Sequence, residues 1–152
     1  MKEQIRLRPA NEEDIPFIFS AWLKSFRTSL FARNLTNSVY FTEHHKVIEK
    51  IVKNAHVIVA CNDADPSQIY GWICAQEVDG IFCLHYIYVK HPFRKMGLAK
   101  MLINAFEHGK DCAGIYTHHT RVFEILAIKL NLIYHPYIWA GPSFLNKETK
   151  DE

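Results

Sequence analysis

The chain has 152 residues, with 18 Lys and Arg against 16 Asp and Glu and a formal charge of +2. That length suits one domain, which buries roughly 68–70% of its unfolded surface and needs no staples to fold. With 49% hydrophobic and 22% charged residues it is no disordered chain, its charge balance does not argue for a nucleic-acid binder, and no apolar run approaches a membrane span.

The opening, MKEQIRLRPANEED, turns acidic where a secretory signal would turn apolar, so no leader is expected. Cys61, Cys74, Cys83 and Cys112 form no C-x-x-C pair, which argues against a zinc ribbon or a thioredoxin motif. Three of them lie in apolar runs (VIVAC, GWICA, IFCLHY), where Cys behaves as a small hydrophobe. Buried thiols in a reducing, cytoplasmic compartment are expected. The whole of 1–152 reads as one domain, with a core over about 3–140 and a polar, frayed end at 146–152.

Ile5 to Arg8 alternates apolar and basic residues before Pro9 and reads as a short strand. Asn11 caps a helix whose first turn holds Glu12, Glu13 and Asp14, favourable at the positive end of a helix dipole. Ile15, Ile18, Phe19, Trp22, Leu23 and Phe26 recur on its apolar face, and it ends near Arg27 to Leu30. Phe31 to Ser38 is a loop, and a second helix runs from Thr42 to Lys53 on Val47, Ile48, Ile51 and Val52. His56 to Cys61 is an apolar strand and Asn62 to Ser67 a turn. Gln68 to Gln76 and Ile81 to Val89 are strands joined through Asp79-Gly80, a hairpin signal. A third helix spans Gly97 to His108, with Leu98, Met101, Leu102, Ala105 and Phe106 inward. Ala113 to Thr117 is a short strand, Arg121 to Leu130 a fourth helix closed by Asn131, and Leu132 to Trp139 an aromatic strand. The economical packing is an α/β fold in which helices cover a mixed sheet. Parallel pairs come from the strand–helix–strand units around Gly97 and Arg121.

The stretch from Ile87 to Lys100 carries chemistry. A buried strand ends at Val89, a short basic loop follows, and a helix begins near Gly97. The first turn of a helix presents unpaired N–H groups and the positive end of the macrodipole, a geometry that binds phosphate. Gly97 lets backbone approach a ligand, Ala99 keeps the next exposed position small, and Lys90, Arg94, Lys95 and Lys100 add positive charge. Neither a Walker loop nor a G-x-G-x-x-G fingerprint is present.

The spacing Arg94-x-x-Gly97-x-Ala99 resembles the [RQ]-x-x-G-x-[GA] signature of the GCN5-related N-acetyltransferase (GNAT) family. Placement agrees: IRLRPA then NEEDI resembles the family's first strand and acidic helix start, and Val89-Lys90-His91-Pro92 its strand end before the signature. The resemblance covers about residues 3 to 140. It implies an α+β fold with a mixed, mostly antiparallel central sheet flanked by about four helices. It also implies an acyl-CoA-dependent N-acyltransferase that passes acetyl from acetyl-CoA to a primary amine by direct attack, without a metal. In the family the strand before the signature splays from its neighbour. By resemblance, Ile87, Tyr88 and Val89 offer main-chain groups to the pantetheine arm. The amides of Lys95, Met96, Gly97, Leu98 and Ala99, with Arg94 and Lys100 beside them, hold the pyrophosphate.

The attacking amine must first lose a proton, because an ammonium has no lone pair. His85, four residues before Val89 where the family carries a Glu or a His, is the candidate base; the competing reading is a buried histidine satisfied by a neighbouring carbonyl. Alternation sets Tyr86 opposite His85, so both reach one cleft only through a bulge. Many members carry a Tyr in the fourth helix as acid for the departing thiolate; that position falls on Ala127 here, and the family's Asn near the start of that helix falls on Thr120, a cofactor-side position. Three readings stay open. Another group serves as the acid, with Tyr134 the candidate and Tyr116 beside it; the thiolate leaves unaided, thiols being far more acidic than alcohols; or the domain is an inactive acyl-CoA-binding or interaction module.

Nine histidines invite a metal reading, but His44-His45 and His118-His119 are adjacent pairs that point apart, and no H-E-x-x-H or H-x-x-x-H occurs. No metal site is expected, and His118 and His119 are placed at the cleft end of their strand. By the same resemblance, Arg27 and Arg33 lie in a region that forms one wall of the acceptor site and would receive an anionic acceptor; the competing reading is surface arginines beside core aromatics. Tyr134, Tyr137 and Trp139 read as core or dimer contacts before substrate stackers. The expected partners are a small-molecule or protein amine and a second copy in a homodimer, with no nucleic acid and no membrane.

Overall fold

The computed structural model describes residues 4–106 and 114–139. Cys112, the expected strand start at Ala113, the helix end at His108, the side chain of Trp139 and the 146–152 end lie outside the described residues.

Strand β1 (Ile5–Pro9) runs through Asn11 into a 3₁₀ turn, Glu12–Asp14, and then helix α1 (Ile15–Phe26). Asn11 Oδ1 accepts from the Glu13 amide at 2.9 Å and the Asp14 carboxylate accepts from the Asn11 amide at 2.8 Å, so the predicted cap is a reciprocal box. Arg8 forks onto Asp14 at 2.7 and 3.0 Å and donates to the Pro66 carbonyl at 2.8 Å. This fork joins β1, the helix start and the β2–β3 turn, and it holds the Asp14 carboxyl below the usual carboxylate range.

Helix α2 (Asn37–Asn54) starts earlier than Thr42, because Thr36 Oγ1 accepts from the Val39 amide at 3.3 Å and caps it. Strands β2 (His56–Asn62), β3 (Ile69–Val78) and β4 (Ile81–Val89) follow. Asp79 and Gly80 both take positive φ, 53° and 78°, as the hairpin signal requires. Helix α3 (Leu98–Asn104) is shorter than predicted, and Met101 is 38% exposed where the periodicity put it inward. After β5 (Gly114–Tyr116), α4 (Arg121–Leu130) closes on Asn131 at φ 59°. Strand β6 (Leu132–Tyr134) replaces the longer strand expected to Trp139. Pro136 has no N–H for a ladder and a fixed φ, and it opens a 3₁₀ turn over Pro136–Trp139.

Among the described residues the strands form one six-stranded sheet in the order β1-β2-β3-β4-β5-β6. The first four are antiparallel, whereas β4–β5 and β5–β6 are parallel, as the two strand–helix–strand units predict. Trp22 and Phe26 of α1, Ile48 and Ile51 of α2, and Trp72 and Ile73 of β3 are essentially sealed from solvent. Gly114 sits where β5 meets β4: a Cβ there would lie 2.2 Å from the Phe82 carbonyl oxygen.

The β3–β4 register steps from Cys74 opposite Tyr86 to Ala75 opposite Leu84. His85 is therefore an extra residue, a bulge in β4. Both His85 and the residue after it are turned toward the α1–α2 layer, which strict alternation had forbidden.

Candidate active site

The β4–β5 ladder pairs Phe82 to Leu84 with Gly114 to Tyr116, and the Thr117 amide adds a last bond to the Leu84 carbonyl at 3.2 Å. Past that point Tyr86 to Val89 keep their β3 partners, Cys74 to Gly71, but have no β5 partner in the register. The two parallel strands thus part at a vertex, Leu84 and Thr117, and the wedge opens toward the C-terminal end of β4. There the chain turns through His91–Phe93 and back, with Arg94 Nε donating to the Val89 carbonyl at 2.8 Å.

The loop that follows is wound by two left-handed residues, Lys95 at φ 65° and Gly97 at φ 79°. A left-handed lysine is costly backbone and marks a constrained turn. Gly97 opens α3 with no side chain capping the N–H groups of its first turn. At Gly97 a Cβ would meet nothing within 4 Å, so φ, not packing, is what calls for glycine. Leu98 is buried and pins the start of α3 to the core, while Arg94, Lys95, Met96 and Lys100 are exposed around it.

Behind the vertex a chain of buried polar groups runs from β3 to α2. His85 Nε2 lies 2.9 Å from Gln76 Oε1 and His85 Nδ1 3.1 Å from Thr117 Oγ1. Thr117 Oγ1 lies 3.0 Å from His118 Nδ1, and His118 Nε2 lies 2.9 Å from His44 Nε2. With the Gln76 carbonyl facing the ring, every bond is satisfied in one direction. His44 donates to His118, His118 to Thr117, Thr117 to His85 and His85 to Gln76, with all three imidazoles neutral. Burial pushes His44 down to about 4 and His85 to about 3, and holds His118 well below the ordinary value. His85 is 0% exposed with both ring nitrogens bonded.

Tyr86 points the same way and ends differently. Its ring packs against Trp22, Trp72 and Phe123, and its hydroxyl lies 2.6 Å from Ser25 Oγ near the exposed end of α1. Ser25 Oγ is also 2.6 Å from the Ala21 carbonyl, which can only accept, so Ser25 donates there and the Tyr86 hydroxyl donates to Ser25. Burial pushes the Tyr86 phenol up to about 12, with Ser25 pulling the other way.

Residues 17–130 match the Acetyltransferase (GNAT) family. The chain belongs to that family. The fold agrees with solved structures. A possible acetyltransferase from Clostridium difficile 630 superposes with a TM-score of 0.55 at 16% identity, over 86% of this chain and 91% of that one. The PaiA N-acetyltransferase of Thermoplasma acidophilum, solved in complex with coenzyme A, superposes with a TM-score of 0.51 at 18% identity, over 70% and 72%. Two other matched structures are longer, and the chain spans 12% and 63% of them. No curated protein matches the chain.

In this GNAT domain the remaining candidates are scattered. Ile87, Tyr88 and Val89 are half-buried along the open wedge, with Tyr88 edge-on to Phe17 of α1. Thr120 caps α4, accepting from the Phe123 amide at 3.2 Å. Tyr134 is 40% exposed, its ring against Tyr116 and His119, and partial burial raises its phenol. His118 is sealed, whereas His119 bonds the Tyr116 hydroxyl at 2.8 Å and faces Glu124 at 3.3 Å. Ala127 lies on the buried face of α4. Arg27 donates to the carbonyls of Ala32 and Leu35 at 2.6 and 2.7 Å and to Asn37 Oδ1 at 3.1 Å, with its guanidinium over Tyr40. It holds the α1–α2 loop and is not poised for an anionic acceptor. Sequence reasoning missed the Ser25–Tyr86 pair and the His44–His118 bond; the one sequence signal was the condition that a bulge would join His85 and Tyr86. Two concavities of about 540 and 570 Å³ lie beside β1, one toward Val52 and Phe106 and the other toward Pro66 and Lys90, and the wedge residues Tyr86 to Val89 line neither. Among the described residues no three His, Cys, Asp or Glu side chains are grouped to hold a metal, and no helix is long and apolar enough to cross a membrane.

Proposed function

We propose that the protein transfers acetyl from acetyl-CoA to a primary amine by direct attack. The observation that carries this reading is the parting of β4 from β5 directly upstream of the left-handed loop at Lys95 and Gly97. In this reading the amides of Lys95 to Ala99 receive the pyrophosphate, with Arg94, Lys95 and Lys100 supplying charge. The pantetheine arm runs back along the open edge of β4, toward which Val89 and Ile87 turn their main-chain groups, while Tyr88 pairs with Trp72 and the Val89 carbonyl accepts from Arg94. The thioester then arrives at the vertex, where main-chain N–H donors stabilise the tetrahedral oxyanion.

His85, the expected base, is sealed from an incoming amine and held neutral by burial, so we give it a positioning role. Its bond to Thr117 fixes the end of β5 at the vertex. A second reading, an acyl-CoA-binding module without turnover, draws support from Ala127 at the position of the family's usual acid.

Thermal unfolding with and without acetyl-CoA, followed by thiol release against a panel of primary amines, tests both. Ligand at 100 times its Kd should add about 2.7 kcal/mol, and Arg94→Glu should lose that gain. Stabilisation with thiol release supports the transferase, and stabilisation without it the binding module. No stabilisation by acetyl-CoA would overturn both.

A further inference from the structure

The wedge opens because β4 leans. At its base it is drawn onto β5, where Gly114 lets Phe82 come close. At its open end it is drawn the other way, onto β3, and again a glycine faces it. Gly71 stands opposite Val89, the last residue of β4. A Cβ on Gly71 would lie 2.6 Å from the Tyr88 carbonyl oxygen and 3.2 Å from Val89 Cα. Both are main-chain atoms, so no side chain can turn aside, and β4 itself would have to shift. Gly71 is not among the left-handed glycines, so the close approach of the two strands is what calls for it.

The same end of β3 holds β4 in two further ways. The β2–β3 register steps from Ala60 opposite Gly71 to Cys61 opposite Ile69, which makes Tyr70 an extra residue, a bulge. Its carbonyl accepts from the Lys90 amide at 2.9 Å, and its buried ring stacks on Phe93 of the following loop at 4.0 Å between centroids. On the opposite side, β4 has no partner past Leu84 in the register of the described residues.

We infer that Gly71 is a positioning residue for acetyl-CoA: bare backbone there lets β3 pull the end of β4 away from β5, which sets the width of the wedge. This rests on the acetyl-CoA reading above, in which the pantetheine arm lies along the open edge of β4. Gly71 touches no ligand in that reading and acts through Tyr88 and Val89. A methyl group at this position pushes the end of β4 toward its unpaired side and narrows the wedge along the arm. The start of α3 is pinned separately by the buried Leu98, so the hold on the pyrophosphate survives.

The test compares acetyl-CoA with 3′-phospho-ADP, which keeps the pyrophosphate end and lacks the arm. Both are titrated calorimetrically into the wild type, Gly71→Ala and Lys90→Pro, with thermal midpoints recorded to confirm folding. Lys90 has φ −59°, which proline holds without strain, and the change removes the N–H that ties β4 to the Tyr70 carbonyl. It also removes a cation, so the ratio of the two affinities is what is read. The wild type should bind acetyl-CoA the more tightly. Gly71→Ala should weaken acetyl-CoA about tenfold, the worth of one or two main-chain hydrogen bonds, and leave 3′-phospho-ADP within about twofold. Lys90→Pro should shrink the ratio in the same direction, and it decides the matter if Gly71→Ala does not fold. The wild-type ratio retained in a folded Gly71→Ala, or no preference in the wild type, overturns the role of Gly71 and leaves the pyrophosphate site standing. Failure of both variants to fold also overturns it, since these contacts then hold the fold and not the wedge. If the wild type binds neither compound, the site itself falls, and the inference with it.

Discussion

Acid should unfold this domain well before its carboxylates titrate, and the cause lies in three neutral rings. His44, His85 and His118 are buried in one bonded chain, and burial lowers them to about 4, about 3 and well below the ordinary value. A group whose folded pKa is depressed by burial of its neutral form takes up its proton first in the unfolded chain. Stability is therefore full above about pH 6.5, the unfolded value, and falls as pH drops from there toward the folded values. At pH 5 the loss is about 2 kcal/mol for each ring, or about 6 kcal/mol for the three. A domain of this size has about 5–15 kcal/mol in all, so pH 5 should bring it close to unfolding. Urea denaturation followed by Trp22 and Trp72 fluorescence at pH 7.5, 6.5, 5.5 and 5.0 reads the slope. Near pH 5.5 it should approach about 4 kcal/mol per pH unit, the signature of three protons. His44→Asn should remove one proton from that slope even though it lowers stability overall. A total loss under about 2 kcal/mol between pH 7.5 and 5.0 would refute the buried, neutral chain.

Two further outcomes follow from single contacts. Asp14→Ala removes both bonds of the Arg8 fork and the bond from the Asn11 amide, and leaves Arg8 only 12% exposed without its carboxylate. It should cost about 3 kcal/mol at pH 7, measured by urea midpoint. Gly114→Ala puts a methyl group 2.2 Å from the Phe82 carbonyl, so β5 must slide or lift from β4. It should cost about 2 kcal/mol or more and weaken acetyl-CoA stabilisation, because the vertex moves. Wild-type melting would show that the strands approach less closely there.

Much of this was legible because it is local. The bounds of β4, the Asp79-Gly80 hairpin, the box at Asn11 and the Arg94-x-x-Gly97-x-Ala99 loop each depend on residues within a few positions of one another. The start of α2 was local too, but Thr36 was read as loop because the apolar stripe begins later. Pro136 was overlooked inside an aromatic run whose composition favours strand. What could not be read is what the fold brings together. Gln76, His85, Thr117, His118 and His44 come from four elements, and no spacing links them. Arg27 shows the converse: a cation in a loop looks available until the carbonyls of Ala32 and Leu35 are found wrapped around it.

The extra residue in β4 lets one strand serve two layers. Before it, an even-numbered side chain, Phe82, meets Phe106 beyond α3; after it, even-numbered Tyr86 and Tyr88 meet Trp22 and Phe17 of α1. The inserted position works as a half-step in the strand's rhythm. Losing any one residue between Phe82 and Tyr86 would restore a uniform beat and force one half of the strand to present its faces the wrong way round. The aromatic wall of the wedge thus hangs on the count of residues in this strand as much as on their chemistry.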